Sequence, residues 1–287
     1  MKAAPFAYRS VSSVTEALDA LAADPEAKVL AGGQSLVPML AMRLARPTAL
    51  IDVNHVDELA GLRRDGAWVQ VGALVRQRDL ERSAEVAAIP AAAMALPYVG
   101  HRELRNRGTV GGSLAHADPA AELPAVAVTL GAVLVARGAG GQREIPARDF
   151  FTGPLQTALR PGELLTAVRF PAARPGDSFA FEEVARRHGD FAICGVMAAV
   201  HRENHQVTSA TVGLFGVGDR PVAVNVTEAV TAGTDAADIG RQVADGLSPS
   251  GDFHASASYR RRLAAALTGR CLDRALTEKT LTEKKSP

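Results

Sequence analysis

Apolar positions recur first at helical and then at alternating spacing, and the change of period divides the chain. Ser13, followed three residues later by Glu16, predicts a capping box heading a helix whose face carries Val14, Leu18 and Leu21. Asp24-Pro25 stops that helix. Lys28 to Ala31 predicts a short buried strand that ends at Gly32-Gly33. Leu36 to Leu44 predicts a second helix, with Pro38 tolerable only in its first turn, and Ala49 to Val53 a further apolar strand. Helix, strand, glycine turn, helix and strand over residues 10–53 make an α/β pattern with parallel strands.

Beyond residue 53 the pattern changes. Trp68 to Gly72 alternates as a half-buried strand, and residues 77–97 are Ala-rich and mostly helical, broken at Pro90 and Pro97. A glycine-studded stretch, 108–113, precedes Asp118-Pro119, which predicts a helix with Asp as its cap and Pro at its first position. Ala132 to Ala136 and Gln142 to Ile145 form a hairpin about Gly138 to Gly141, and Glu163 to Phe170 is a strand. The segment PAARPG, 171–176, reads as a linker. After it, Phe179 to Arg186, Phe191 to His201, Thr208 to Gly216 and Val222 to Val226 predict antiparallel strands. Two helices follow, from about Ala236 to Leu247 and from Ser256 to Leu276, and the polar end 276–287 is expected to fray.

Composition narrows the function classes. Of 287 residues, 47% are hydrophobic and 22% charged, enough apolar content for a sizeable core and against global disorder. Lys and Arg number 32 against 31 Asp and Glu, so the concentrated positive field of a nucleic-acid binder or a polybasic membrane binder is missing. Two cysteines, Cys194 and Cys271, exclude a disulfide framework and an iron–sulfur cluster held by four of the chain's own thiolates. No signal-peptide core or membrane-spanning apolar run is visible, and a cytoplasmic protein is expected.

Two glycine pairs carry the candidate chemistry. Gly32-Gly33 leads into Gln34 and Ser35 at the mouth of a helix, and Gly111-Gly112 is flanked by Thr109 and Ser113. Paired glycines let a backbone approach a ligand, and their N–H groups with nearby hydroxyls make an anion nest. A helix beginning just after such a nest adds its positive end, so a pyrophosphate held between two nests is the physical reading. Either pair alone reads more simply as an ordinary tight turn. Neither matches the dinucleotide fingerprint G-x-G-x-x-G or the phosphate-loop pattern.

The stretches AGGQSLVPMLAMRLARPTALIDVN (31–54) and LRNRGTVGGSLAHADPAAELP (104–124) together resemble the two flavin signatures of one family. It is the FAD-binding medium subunit of molybdenum hydroxylases, the group of carbon monoxide and xanthine dehydrogenases. FFTGPLQTALRPGELLTAVRFP (150–171), RRHGDFAICGVMAAV (186–200) and SASYRRRLAAAL (256–267) extend the resemblance in the family's order. It implies an α+β protein. A p-cresol methylhydroxylase-type FAD domain over 1–174 would comprise a small parallel α/β lobe (1–53) and a larger mixed β lobe (54–174). A small α+β domain with an antiparallel sheet, like the C-terminal domain of carbon monoxide dehydrogenase flavoprotein, would follow over 177–280, then a frayed tail, 281–287.

By the family pattern Val29, Leu30, Ala31, Gly32, Gly33, Gln34, Ser35 and Leu36 wrap the pyrophosphate and ribityl chain of non-covalent FAD together with Thr109, Val110, Gly111, Gly112 and Ser113. Glu122 takes the place of an acid that contacts the adenosine ribose, Leu165 makes a main-chain contact near the adenine, and Val99 lies just ahead of the second signature. Asp118 caps its helix and orders the second loop. Two positions depart from the pattern: Gln34 replaces a commoner His, and Phe191 stands where relatives often carry Tyr near the flavin ring. The resemblance further implies an oxidoreductase in which electrons pass from a molybdopterin centre in a large subunit, through two 2Fe–2S clusters in a small subunit, to FAD here. A heterotrimer, paired into a dimer, is the implied assembly. No residue of this chain is then needed as acid, base or nucleophile. The His101 to Arg107 loop and the Gly189 to Ala192 turn are expected near the cluster-bearing partner.

Other polar groups have plainer readings. His201, Glu203 and His205 fall at a hairpin turn, where i, i+4 spacing does not converge on a metal. His101 and His116 read as loop histidines, Arg102, Arg105 and Arg107 as a solvated or partner-facing cluster, and Arg260, Arg261 and Arg262 likewise. Cys194 and Cys271 read as inert buried thiols. Rival readings are a stand-alone flavin reductase of the same fold and a scaffold that has lost its flavin. The GDFA and SYRRRLA segments favour the electron-transfer subunit over the first, and the two intact glycine pairs argue against the second. Substituting Val at Gly111 or Gly112 is expected to leave a folded, colourless chain.

Overall fold

The computed structural model describes residues 2–278. The first lobe is a three-stranded parallel sheet in which β3 (Ala49–Asp52) lies between β1 (Ala7–Ser10) and β2 (Lys28–Leu30). Helices α1 (Val14–Ala23) and α2 (Leu36–Ala41) connect the strands. Ser13 accepts the N–H of Glu16, but the returning Glu16 carboxylate takes the N–H of Ser12, so the box closes one residue early. β1 has no apolar pattern because all four of its residues are exposed. β2 is not buried as expected: it is an edge strand with Lys28 exposed and Val29 and Leu30 half-buried. Arg43, at φ 60°, turns the chain after α2, which is why that helix ends short of Leu44.

The second lobe is an antiparallel sheet, order β4 (Leu62–Asp65), β5 (Trp68–Gly72), β10 (Leu164–Pro171), β6 (Val133–Gly138), β7 (Gly141–Pro146), with the short pair β8 (Phe151–Gly153) and β9 (Gln156–Thr157) beside it. Its helices are α3 (Gln77–Arg82), α4 (Pro90–Ala95), α5 (Arg102–Arg105), α6 (Val110–His116), α7 (Glu122–Leu130) and α8 (Ala147–Phe150). Pro90 opens α4 at its first turn instead of breaking a helix. α7 is buried along nearly its whole length, among Val69, Val71, Leu80, Leu114, Leu134, Phe150 and Phe170.

The last part of the chain is an antiparallel sheet of β11 (Asp177–Ala185), β12 (Ala192–Glu203), β13 (Gln206–Phe215) and β14 (Val222–Asn225), in that order. Helices α9 (Thr227–Thr231), α10 (Ala236–Asp245) and α11 (Ala257–Thr277) complete it, and α11 packs along β11 and β12. Phe179, Phe181, Met197 and Phe215 join the α7 cluster, so α7 is the beam on which the two parts meet. No helix of the described residues is long and apolar enough to cross a membrane. The tail expected over 281–287 lies outside the described residues.

Candidate functional site

A cleft of about 870 Å³ opens where the parallel lobe, the antiparallel lobe and the turn between β11 and β12 come together. Its first wall is the loop between β2 and α2. Gly33 sits at φ +73°, in the left-handed region that a side chain resists. Gly32 lies so close to the second loop that a Cβ there would stand 2.4 Å from the Arg107 carbonyl oxygen. The N–H groups of Gly32, Gly33, Gln34, Ser35 and Leu36 have no protein acceptor among the described residues, and neither does the Ser35 hydroxyl. Gln34 folds back, its Nε2 donating to the Gly32 carbonyl at 2.9 Å, so it braces the loop.

The second wall, 108–113, is not an open nest. Thr109 caps α6, its Oγ1 accepting the N–H of Gly112 at 3.0 Å. The N–H groups of Val110, Gly111 and Ser113 donate to the carbonyls of Val75, Ala73 and Thr109. Gly111 and Gly112 are helical, not left-handed. Gly111 is required by contact: a Cβ there would lie 2.4 Å from the Ala73 Cβ and 2.5 Å from its Cα. Asp118 does not cap α7; its Oδ1 accepts the N–H of Ala120 in a local turn, and α7 begins at Glu122 after Ala121.

Glu122 is 6% exposed at the cleft wall, and burial pushes its carboxyl up to about 7. Glu183 on β11, also pushed up by burial and by the Glu122 charge to about 8, has Oε2 buried without a partner. Burial lowers the pKa of His116, which lines the cleft half-exposed. All of the expected site residues except Leu30 and Val110 line this one cleft. Leu30 packs beneath Gly33, and Val110 is fully buried in the core. Phe191, 68% exposed, stands at the edge of the cleft.

The cleft also takes in Lys28, Gln77, Thr152, Gln156 and Arg160, for which no role at the site is expected from the sequence. The only signal for the β8–β9 residues was the resemblance over 150–171, which carried no residue roles with it. His101 heads α5 with its ring against Gly189, so the two turns expected on one side do meet, and beside them the Tyr98 and His188 rings lie tilted with centroids 6.3 Å apart. Two arginines are not solvated. Arg105 is 7% exposed, pairs with Glu81 at 3.0 Å and donates to the carbonyls of Val99 and Gly100. Arg260 is 8% exposed, pairs with Asp252 and donates to the carbonyls of Ile193 and Gly216, fixing the start of β12. His201 lies between Asp177 at 2.8 Å and Glu203 at 3.4 Å. Cys194 and Cys271 are buried free thiols, each pushed up by burial to about 12.

Residues 4–173 match the family described as the FAD binding domain in molybdopterin dehydrogenase. The chain belongs to this family. Residues 179–275 match the CO dehydrogenase flavoprotein C-terminal domain. Among proteins of this kind, the chain is 37% identical to the 6-hydroxypseudooxynicotine dehydrogenase complex subunit alpha of Paenarthrobacter nicotinovorans, over 96% of each chain. It superposes on a chain of quinoline 2-oxidoreductase from Pseudomonas putida 86 with a TM-score of 0.89 at 36% identity, covering 96% of this chain and 98% of that one. It superposes equally on a chain of the cyanide-inactivated Cu,Mo CO dehydrogenase, with a TM-score of 0.90 at 31% identity and coverage of 96% and 99%. The cleft fits FAD in its own terms: a cavity of about 870 Å³ carries unpartnered N–H donors on one wall and close-packed glycines on the other.

Proposed function

We propose that this chain is the electron-transfer flavoprotein subunit of a cytoplasmic molybdenum hydroxylase, working between the iron–sulfur clusters of a small partner subunit and an external acceptor. The observation that carries the reading is the first cleft wall, where the five consecutive N–H groups and the Ser35 hydroxyl of the lining residues Gly32 to Leu36 have no protein partner. Such a wall suits a diphosphate, whose oxygens accept and never donate. FAD, when bound, supplies a carrier that takes electrons singly or in pairs.

The residues of this chain bind and orient. Gly32 to Leu36 hold the diphosphate, with Gly33 free to take the required backbone angle. Ser35 and Ser113 offer hydroxyls along the ribityl chain, Glu122 faces the adenosine ribose, and the Leu165 backbone, with Val99 nearby, borders the adenine. Phe191, exposed beside the Gly189 turn, lies toward the ring without a phenol hydroxyl. Tyr98, His101, Leu104 and His188 surround that turn and form the face we assign to the cluster-bearing subunit. The large molybdopterin subunit completes a heterotrimer, paired into a dimer.

Affinity purification of the chain from its native host, followed by metal analysis, tests this reading. Molybdenum and iron are expected at about one and about four atoms per flavin, from one pterin centre and two 2Fe–2S clusters. A metal-free yellow protein that turns over a small substrate by itself would favour a stand-alone flavin reductase.

A further inference from the structure

Behind the cleft, two side chains join the two glycine loops. Asn54 Nδ2 donates to the Ala31 carbonyl at 2.9 Å, and Asn54 Oδ1 accepts from Arg76 Nη2 at 2.8 Å. Arg76 Nη1 donates in turn to the Arg107 carbonyl. That carbonyl oxygen is the atom that abuts Gly32, so one oxygen is both the target of Arg76 and the point where the loops touch. The far end is also anchored: Asp52 accepts from Asn54 Nδ2 at 2.6 Å, from the Asn54 N–H at 2.9 Å and from the Tyr8 hydroxyl at 2.5 Å. Backbone bonds from Gln77 N–H to the Gly108 carbonyl and from Val110 N–H to the Val75 carbonyl hold the second loop to the segment 75–77 that carries Arg76 at the head of α3.

Neither Asn54 nor Arg76 lines the main cleft. They line a separate cavity of about 250 Å³ with Asp57 and Asp79, so they do not act as ligands of the bound molecule. The residue types suit a link between two carbonyls. An asparagine presents a donor and an acceptor at once, and a guanidinium presents two donors in one plane, whereas an ammonium is a point charge.

We propose that Asn54 and Arg76 are positioning residues that set the gap between the two loops and thereby the affinity of the chain for FAD. The proposal rests on the reading that FAD lies between those loops. A ligand that contacts both walls gains from both only if their separation is fixed beforehand.

The test uses the full apo chain with Asn54→Ala, Arg76→Ala and the double variant, and with the milder Arg76→Lys and Asn54→Asp. FAD affinity is measured by calorimetry and the thermal midpoint without FAD is recorded alongside. Each alanine variant is expected to raise the FAD Kd about tenfold, and the double variant far less than the roughly hundredfold of independent sites. Arg76→Lys, which reaches one loop only, and Asn54→Asp, which loses the donor to Ala31 and faces Asp52, are expected to weaken FAD as well, and they decide the matter should the alanine variants not fold. Hydrogen exchange on the apo chain adds a readout that ordinary destabilisation would not give. Cutting Asn54, on the first loop's side, should speed exchange at the Gln77 and Val110 amides, whose bonds hold the second loop. FAD affinity within twofold of wild type in the folded variants, or fully multiplicative losses, would overturn the clamp. Absence of FAD binding by the wild-type chain would instead overturn the reading beneath it.

Discussion

The loops 31–36 and 108–113 are written in nearly the same letters, a glycine pair with a small hydroxyl residue beside it, and they do different physical work. In the first, the amides of Gly32 to Leu36 are left without protein acceptors and Gly33 is left-handed. In the second, the amides of Val110 to Ser113 are all satisfied within the fold, and the glycines are helical. The first loop is a donor surface. The second is a thin wall, made of glycine so that α6 can lie against Ala73 and the cleft can open on its other side. A glycine pair therefore marks close approach in general, and only the hydrogen-bond accounting says whether the approaching body is a ligand or the protein itself.

The comparison breaks most visibly at Gly111. A side chain there meets the backbone of Ala73, so Gly111→Val should cost about 3 kcal/mol or more and lower the thermal midpoint of the apo chain, not merely bleach a folded protein. A colourless variant with an unchanged midpoint would return Gly111 to the role of a ligand contact.

The second wall also leads into the buried acids. The folded chain holds protons on Glu122 and Glu183 up to about 7 and about 8, whereas the unfolded chain releases them in the ordinary carboxylate range. Burial is the main cause, with Asp118 raising and Arg105 lowering Glu122, and Glu122 raising Glu183. Because the folded state binds more protons in that window, apo stability should fall by several kcal/mol from roughly pH 5 to roughly pH 9, at about 1.4 kcal/mol for each unit by which a pKa is raised. Denaturant titrations across that range should show the decline, and the Glu122→Gln, Glu183→Gln double variant should remove most of it. A decline of the same size in the double variant would assign it to other groups.

On the first loop, Gly33→Ala forces a Cβ into a left-handed conformation, at a cost of roughly 1–2 kcal/mol. The fold should survive and FAD affinity should drop, measured by calorimetry against apo stability. The smallest effect is expected at Thr109. Thr109→Ala removes the α6 cap, costing about 1 kcal/mol of stability, and should change the FAD Kd less than about threefold. Loss of FAD binding in that variant would show that the second loop is a donor surface too.

Much of this was legible in advance. The parallel lobe, the last antiparallel sheet and the long final helix follow from period and punctuation, and one cleft gathers nearly every residue that the two signatures marked. What escaped did so for identifiable reasons. β1 has no apolar period because its four residues are exposed. α6 hides behind glycines that read as loop, although Thr109 is an ordinary cap. Arg105 and Arg260 look solvated until the carbonyls that accept from them are brought close by folding, for Arg260 from 67 and 44 residues away. Asn54 and Arg76 are invisible to spacing because they join segments 22 and 31 residues apart.

The most direct measurement compares two ligands on one apo chain. FAD and FMN share the flavin ring and ribityl chain, but only FAD carries the diphosphate that the free amides of 32–36 are held to bind. Calorimetric titration should show FAD binding at least about a hundredfold more tightly than FMN, with the advantage shrinking in Gly33→Ala. Comparable affinities for the two, or an FAD advantage untouched by Gly33→Ala, would contradict the assignment of the first loop as the diphosphate site.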